Sequence, residues 1–219
     1  MSDLVYVDKY KGLIKKIDKL QIVHKENIKV VVVSKNQEYG KIVTLNKLGH
    51  IDFGENYVDE AYKKINEIGD SSIIWHFIGR VQSNKIKKIC DLFSWIHTIS
   101  SMKHIEKIDQ TCEQLEKVMN ICIQINIDNE DSKGGITIDD YGVFSANIHK
   151  LKNVKLRGIM AIPQANKPCD DSFAKMSNLY NKYDYLDTLS MGMSKDFVTA
   201  IENGANMLRI GQEIFGKRT

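Results

Sequence analysis

The sequence predicts a single α/β domain spanning residues 1–219: one (β/α)8 TIM barrel with an extra N-terminal helix. Short apolar, β-branched runs alternate with longer amphipathic segments rich in Lys, Glu and Leu, the pattern of parallel strands joined by crossover helices. Eight such runs fit into 219 residues, a length suited to one closed barrel. No Pro/Gly/Ser-rich linker divides the chain, whose only prolines are Pro163 and Pro168. The runner-up architecture is an open, doubly wound sheet.

Each element has its own warrant. A leading helix over 3–23 carries Leu13, Ile17 and Leu20 on one face. The first strand, 28–34, is the valine run ending in Ser34-Lys35, and a helix over 38–48 follows. Strand 50–53 precedes a helix over 56–68 whose apolar face is Val58, Ala61, Ile65 and Ile68. Strand 73–78 is the run Ile73-Ile74-Trp75-His76-Phe77-Ile78, followed by a helix over 82–90. Strand 93–97 leads to a helix over 101–117 with Ile105, Ile108, Cys112 and Leu115 at helical spacing. Strand 119–127, a helix over 137–150, strand 156–161 and a helix over 171–183 repeat the alternation. Strand 187–190, a helix over 195–203 and strand 206–210 complete it.

Composition narrows the function. With 31 basic and 28 acidic residues the net charge is +3, too even to imply nucleic-acid binding or attachment to a membrane surface. Stretches such as Lys85-Ile86-Lys87-Lys88 read as solvated helix faces. Cys90, Cys112, Cys122 and Cys169 show no metal-binding spacing and suit free thiols in a reducing compartment. The N-terminus has no secretory character and no apolar run reaches membrane-spanning length, so a cytoplasmic protein is expected.

Barrel chemistry gathers at the C-terminal ends of the strands. Lys35 leaves the first strand there, after four valines, and a lysine desolvated at such a position has lowered basicity and condenses readily with a carbonyl. The alternative is a rim lysine that reaches water. After the seventh strand, Gly192 allows close backbone approach and Ser194 is placed to cap the next helix. Gly211 follows the eighth strand, and loops seven and eight are where barrels commonly hold phosphate. The alternative is an ordinary cap beside an ordinary glycine turn. An imine-forming lysine with a phosphate cup suits either a phosphosugar aldolase or an enzyme or carrier of pyridoxal 5′-phosphate (PLP). Arg209 favours PLP: a permanent cation facing a pyridine nitrogen keeps it unprotonated and makes the ring a weaker electron sink. A salt bridge from Arg209 to Glu55 or Glu213 is the competing reading. His76 reads as a hydrogen-bonded core histidine, and His24, His50, His97, His104 and His149 form no ligand spacing.

Taken together, these segments resemble the pyridoxal phosphate homeostasis protein family, whose barrel is similar to the N-terminal domain of alanine racemase. The resemblance runs through Val33-Ser34-Lys35, Phe53 to Val58, Trp75 to Gly79 with Gln82 to Lys85, and Asn126 with Glu130 and Lys133-Gly134-Gly135. It continues through Gly158 to Pro163, Leu189 to Asp196, Arg209-Ile210-Gly211 and Ile214 to Arg218. Barrels that resemble this family carry the lysine on the first strand, whereas Schiff-base aldolases carry it on a late one. The resemblance implies that Lys35 carries PLP as an aldimine, that Ser194 and Gly211 hold its phosphate, and that Arg209 faces the ring nitrogen. It also puts Asn56 near the phenolic oxygen, with Gly79 and Met193 lining the pocket. The chain departs from the family in lacking the proline usual shortly after the lysine, which would loosen that loop, and in having Asp59 in place of glutamine.

Alanine racemase places its second base from a further domain, and this chain ends at Thr219. The resemblance therefore implies a monomeric PLP carrier in vitamin B6 homeostasis, with apo PLP-dependent enzymes as partners and no significant catalysis. A small PLP-dependent amino-acid racemase is the alternative.

Overall fold

The computed structural model describes residues 5–24, 27–130, 133–164 and 168–216. In chain order they form α1 (Val5–His24), β1 (Lys29–Val33), α2 (Tyr39–Lys47), β2 (Asp52–Glu55), α3 (Val58–Ile68) and β3 (Ile74–Phe77). There follow α4 (Ile86–Leu92), β4 (Trp95–Ile99), α5 (Met102–Gln114), β5 (Met119–Ile125), α6 (Tyr141–Ile148) and β6 (Val154–Ala161). The last elements are α7 (Asp170–Tyr180), β7 (Thr188–Ser190), α8 (Phe197–Glu202), β8 (Met207–Ile210) and α9 (Gln212–Phe215). The strands pair in parallel and in order, and β1 pairs with both β2 and β8, so the sheet closes into the expected barrel with its extra leading helix.

Alternation along the strands divides the interior into two shells. Val30 and Val32 face outward into a core shared with the helices, which includes Phe53, Phe77, Ile96 and Leu208. Val31 faces the lumen with Trp95, Cys122, Met160 and Met207. Helix α1 buries Val7, Tyr10, Leu13 and Ile17, and its Tyr6 ring lies 6.0 Å from Phe215 of α9. It thus braces the last β-to-α turn from outside. Lys16 of α1 lies 4.8 Å from the centre of the Phe197 ring on α8.

Several boundaries differ from expectation for local reasons. Strand β2 extends to Glu55, because Gly54 and Glu55 pair with His76 and Phe77 despite lacking β propensity. Helix α4 starts at Ile86 rather than 82, since Lys85 N–H closes a turn onto the Gln82 carbonyl. Helix α6 starts at Tyr141 rather than 137: Ile136 instead bridges Ile125, and Thr137 and Asp140 hydrogen-bond each other. Helix α9 was not expected. Residues 3 and 4 of the expected leading helix, and Lys217 and Arg218 of the resembling segments, lie outside the described residues. No helix among the described residues is long and apolar enough to cross a membrane.

Candidate functional site

The turn that carries Lys35 is fixed from below by buried charge. Ser34 N–H donates to the Gly54 carbonyl at 3.0 Å, and the Ser34 hydroxyl donates to Glu55 Oε1 at 2.7 Å. Lys64 reaches up from α3 and donates to the Ser34 carbonyl at 2.7 Å, to Glu55 at 2.8 Å and to Glu60 at 2.6 Å. Asn36, in the left-handed region at φ 60°, donates its N–H to Glu60 at 2.6 Å. Gln37 N–H also closes the turn onto the Ser34 carbonyl at 3.0 Å. Burial raises the Glu55 carboxyl pKa, and the charge of Lys64 and the bonds from Lys64 and Ser34 only partly oppose it. The Lys35 side chain itself is half-buried at the rim.

The expected site residues lie on neighbouring strands at one mouth. Lys35 follows β1, Asn56 follows β2, Gly79 follows β3, Met193 and Ser194 follow β7, and Arg209 and Gly211 belong to β8 and its end. Their backbones touch: a Cβ on Gly79 would lie 2.0 Å from the Asn56 carbonyl oxygen, and one on Gly211 would lie 3.0 Å from that of Val33. Only glycine fits at Gly79, where the chain after β3 lies directly against the Asn56 backbone. Asn56 Oδ1 is buried without a hydrogen-bond partner. A buried orphan acceptor at a mouth is a place for a ligand to complete.

Ser194 does not cap α8, whose N-cap is Asp196. Its hydroxyl instead accepts the N–H of Glu213 in α9 at 3.1 Å, tying the β7 and β8 loops into one unit. Asp196 accepts the Met193 N–H at 2.5 Å, which sets the path of the β7 loop. Gly192 sits at φ 90° with the Ala200 methyl where a Cβ would go, so this close turn admits no side chain.

Arg209 makes neither competing salt bridge. It is buried in the lumen, where it donates to Ser190 Oγ at 2.6 Å and to the Ala161 carbonyl at 2.9 Å. Burial lowers its pKa to about 10, so the guanidinium stays charged at neutral pH. His76 is a buried hydrogen-bonded histidine, as expected, and its partners are Asp52 and a second histidine, His97. The Asn126 segment builds the wall after β5: its amide pairs both backbone groups of Glu130, and Lys133 donates to the Pro163 carbonyl at 2.6 Å. The opposite, N-terminal mouth has a cavity of about 230 Å³ beside Trp95, where Arg157 is paired to Asp187.

Sequence reasoning missed Lys64, and it offered Glu55 only as a partner for Arg209, whereas Glu55 pairs with Lys64 and Ser34. The signal was present: Val58, Ala61 and Lys64 fall at three-residue spacing on the buried face of α3, so a lysine continues an apolar row.

A lysine, a buried arginine and a tied pair of loops at the mouth of a parallel barrel define a class that the comparisons recover. The family model described as "Alanine racemase, N-terminal domain" matches residues 11–219, and the chain belongs to that family. Over 193 residues it is 37% identical to the "Pyridoxal phosphate homeostasis protein" of Pseudomonas aeruginosa, covering 86% of this chain and 84% of that protein. PipY of Synechococcus elongatus PCC7942, solved with PLP bound, superposes with a TM-score of 0.80 at 29% identity, covering 87% of this chain and 93% of that one. An alanine racemase from Clostridium difficile 630 superposes with a TM-score of 0.71 at 16% identity, over 95% of this chain and 57% of that one. That last likeness is one of fold.

Proposed function

We propose that this chain binds PLP at the C-terminal mouth and serves PLP homeostasis, holding the cofactor reversibly on Lys35 and passing it to apo-enzymes. The observation that carries the reading is the placement of Lys35 just past the end of β1, which pairs with β8, whose buried Arg209 and following Gly211 adjoin the Ser194 loop. The PLP-bound relative PipY supports it.

Bound PLP supplies an aldehyde that condenses with an amine and a ring that withdraws electrons. The chain's own residues then divide the work. Lys35 offers the amine from a turn that Lys64, Glu55 and Glu60 immobilise. Ser194 and the backbone at Gly211 would receive the phosphate beside the start of α9. Arg209, charged and held by Ser190 and Ala161, would face the ring nitrogen and, as a permanent cation, would keep a proton off it. Asn56, whose buried Oδ1 has no partner, would lie near the phenolic oxygen and accept from a donor there, while Gly79 and Met193 would shape the wall. A ring kept unprotonated is a poor electron sink, which suits a carrier.

The four cysteines are all free thiols, in keeping with a cytoplasmic location, and we take the working form to be a monomer. The test is transfer: yellow holo-protein mixed with an apo PLP enzyme should lose its colour as the acceptor gains activity. Retention of the colour, with amino acids turned over instead, would refute the carrier reading.

A further inference from the structure

The lumen of such a barrel is ordinarily packed with branched aliphatic side chains. Here a polar file crosses it. Asp52 Oδ1 lies 2.9 Å from His76 Nε2, His76 Nδ1 lies 2.9 Å from His97 Nε2, and His97 Nδ1 lies 3.0 Å from Ser190 Oγ. Ser190 Oγ in turn accepts from Arg209. His76, His97 and Ser190 are fully buried, and Asp52 stands at the start of β2.

The protons in this file have one consistent arrangement. Asp52 is held ionised: burial opposes this, but the hydrogen bond from His76 and the nearby positive charge of Lys29 help to hold its pKa below the usual carboxylate value. An ionised carboxylate only accepts, so His76 must carry its proton on Nε2. Burial keeps both imidazoles neutral, leaving His76 Nδ1 an acceptor that needs His97 Nε2–H. His97 Nδ1 is then an acceptor for the Ser190 hydroxyl, whose oxygen is left to receive Arg209. Reversing the file would set two lone pairs against each other at Asp52.

We propose that Asp52, His76, His97 and Ser190 form one positioning relay that fixes, from across the lumen, which N–H groups Arg209 presents to the PLP ring nitrogen. The inference rests on the reading that PLP occupies the mouth above Arg209. The two described bonds of Arg209 use two of the five N–H groups of a guanidinium, and the relay decides which way the remainder face. The dipoles all run from the cation to the carboxylate, so each bond strengthens the next. These residues position Arg209 and touch no reacting atom.

The first test needs no cofactor. In the apo-protein labelled with ¹⁵N-histidine, His76 and His97 should both appear at neutral pH as neutral Nε2–H tautomers. An imidazolium or an Nδ1–H tautomer at either position overturns the relay. The second test reads the bound cofactor through its absorbance spectrum and its release rate. Ser190→Ala and Asp52→Ala should each shift the band and speed release roughly tenfold. Asp52→Asn, which keeps an acceptor for His76, should restore both. Because Ser190→Ala already cuts the file, adding Asp52→Ala to it should change little more. Fully additive effects, or variants indistinguishable from the parent, overturn the proposal. A parent protein that binds no PLP would refute the functional reading instead, and the tautomer result would still decide whether the relay exists.

Discussion

Replacing Lys64 by Met is the sharpest probe of how the site is built. The change keeps side-chain bulk but removes an ammonium that touches Glu55 at 2.8 Å, Glu60 at 2.6 Å and the Ser34 carbonyl at 2.7 Å. Glu55 is fully buried and its other oxygen already lacks a partner. Stripping one partner from a buried ion pair costs about 3–5 kcal/mol, because the remaining charge is left uncompensated. In a chain of this size each kcal/mol is worth roughly 2–4 °C, so thermal unfolding at pH 7 should drop by about 6–20 °C. The pH dependence has a definite sign. Burial already raises the Glu55 pKa in the folded state, and losing Lys64 raises it further. A folded-state pKa above the unfolded value favours the folded form once the acid is protonated, so stability is lost as pH rises through the folded pKa. The deficit of Lys64→Met should therefore shrink as pH falls from 7 toward the unfolded glutamate value of about 4.3. Adding Glu55→Gln should recover part of it at pH 7. Calorimetry at pH 7 and pH 5 on both variants checks this. A deficit below about 1 kcal/mol, the range of an exposed pair, or one equal at both pH values, would refute the reasoning.

Other perturbations test other parts of the mouth. Ser194→Ala should weaken PLP retention by about 1.5–3 kcal/mol, read by equilibrium dialysis, while leaving unfolding nearly unchanged. If stability falls and affinity does not, Ser194 only ties the β7 loop to α9. Gly79→Ala forces a methyl into the Asn56 backbone, where no flexible side chain can yield, and should destabilise the fold by about 1–3 kcal/mol or more in denaturant titration. Wild-type stability in that variant would show that β2 and β3 separate easily. Holo-protein incubated with L-alanine in deuterated water should invert it far more slowly than about 1 s⁻¹, measured by chiral chromatography. Inversion at that rate or faster would make the protein a racemase.

Much of this architecture was legible because the sheet is parallel and buried on both faces. The valines of β1 and the isoleucines of β5 announce themselves as continuous apolar runs. Strand β2 was displaced because Asp52, Gly54 and Glu55 have no such signature; they belong to the strand because of what they meet in the barrel. The lysine, the glycines and Arg209 were readable at the rim because each is an odd residue at a strand end. Ser194 was misassigned: its partner, Glu213, is 19 residues away, and local capping rules do not see that distance. Lys64 was hidden as half of an ordinary i,i+4 pair with Glu60, which on most helices is a surface feature. The lumen file escaped for the same reason as Ser194. His76 and His97 are 21 residues apart, and His97 and Ser190 are 93 apart, so only barrel closure brings them together.

The central claim is that Lys35 is the residue that holds PLP. It is tested most directly by reducing the purified yellow protein with borohydride and mapping the modified peptide by mass spectrometry. The account predicts one pyridoxyl label, on Lys35, and none in Lys35→Ala. A label on another lysine, or a yellow protein that borohydride leaves unlabelled, would contradict it.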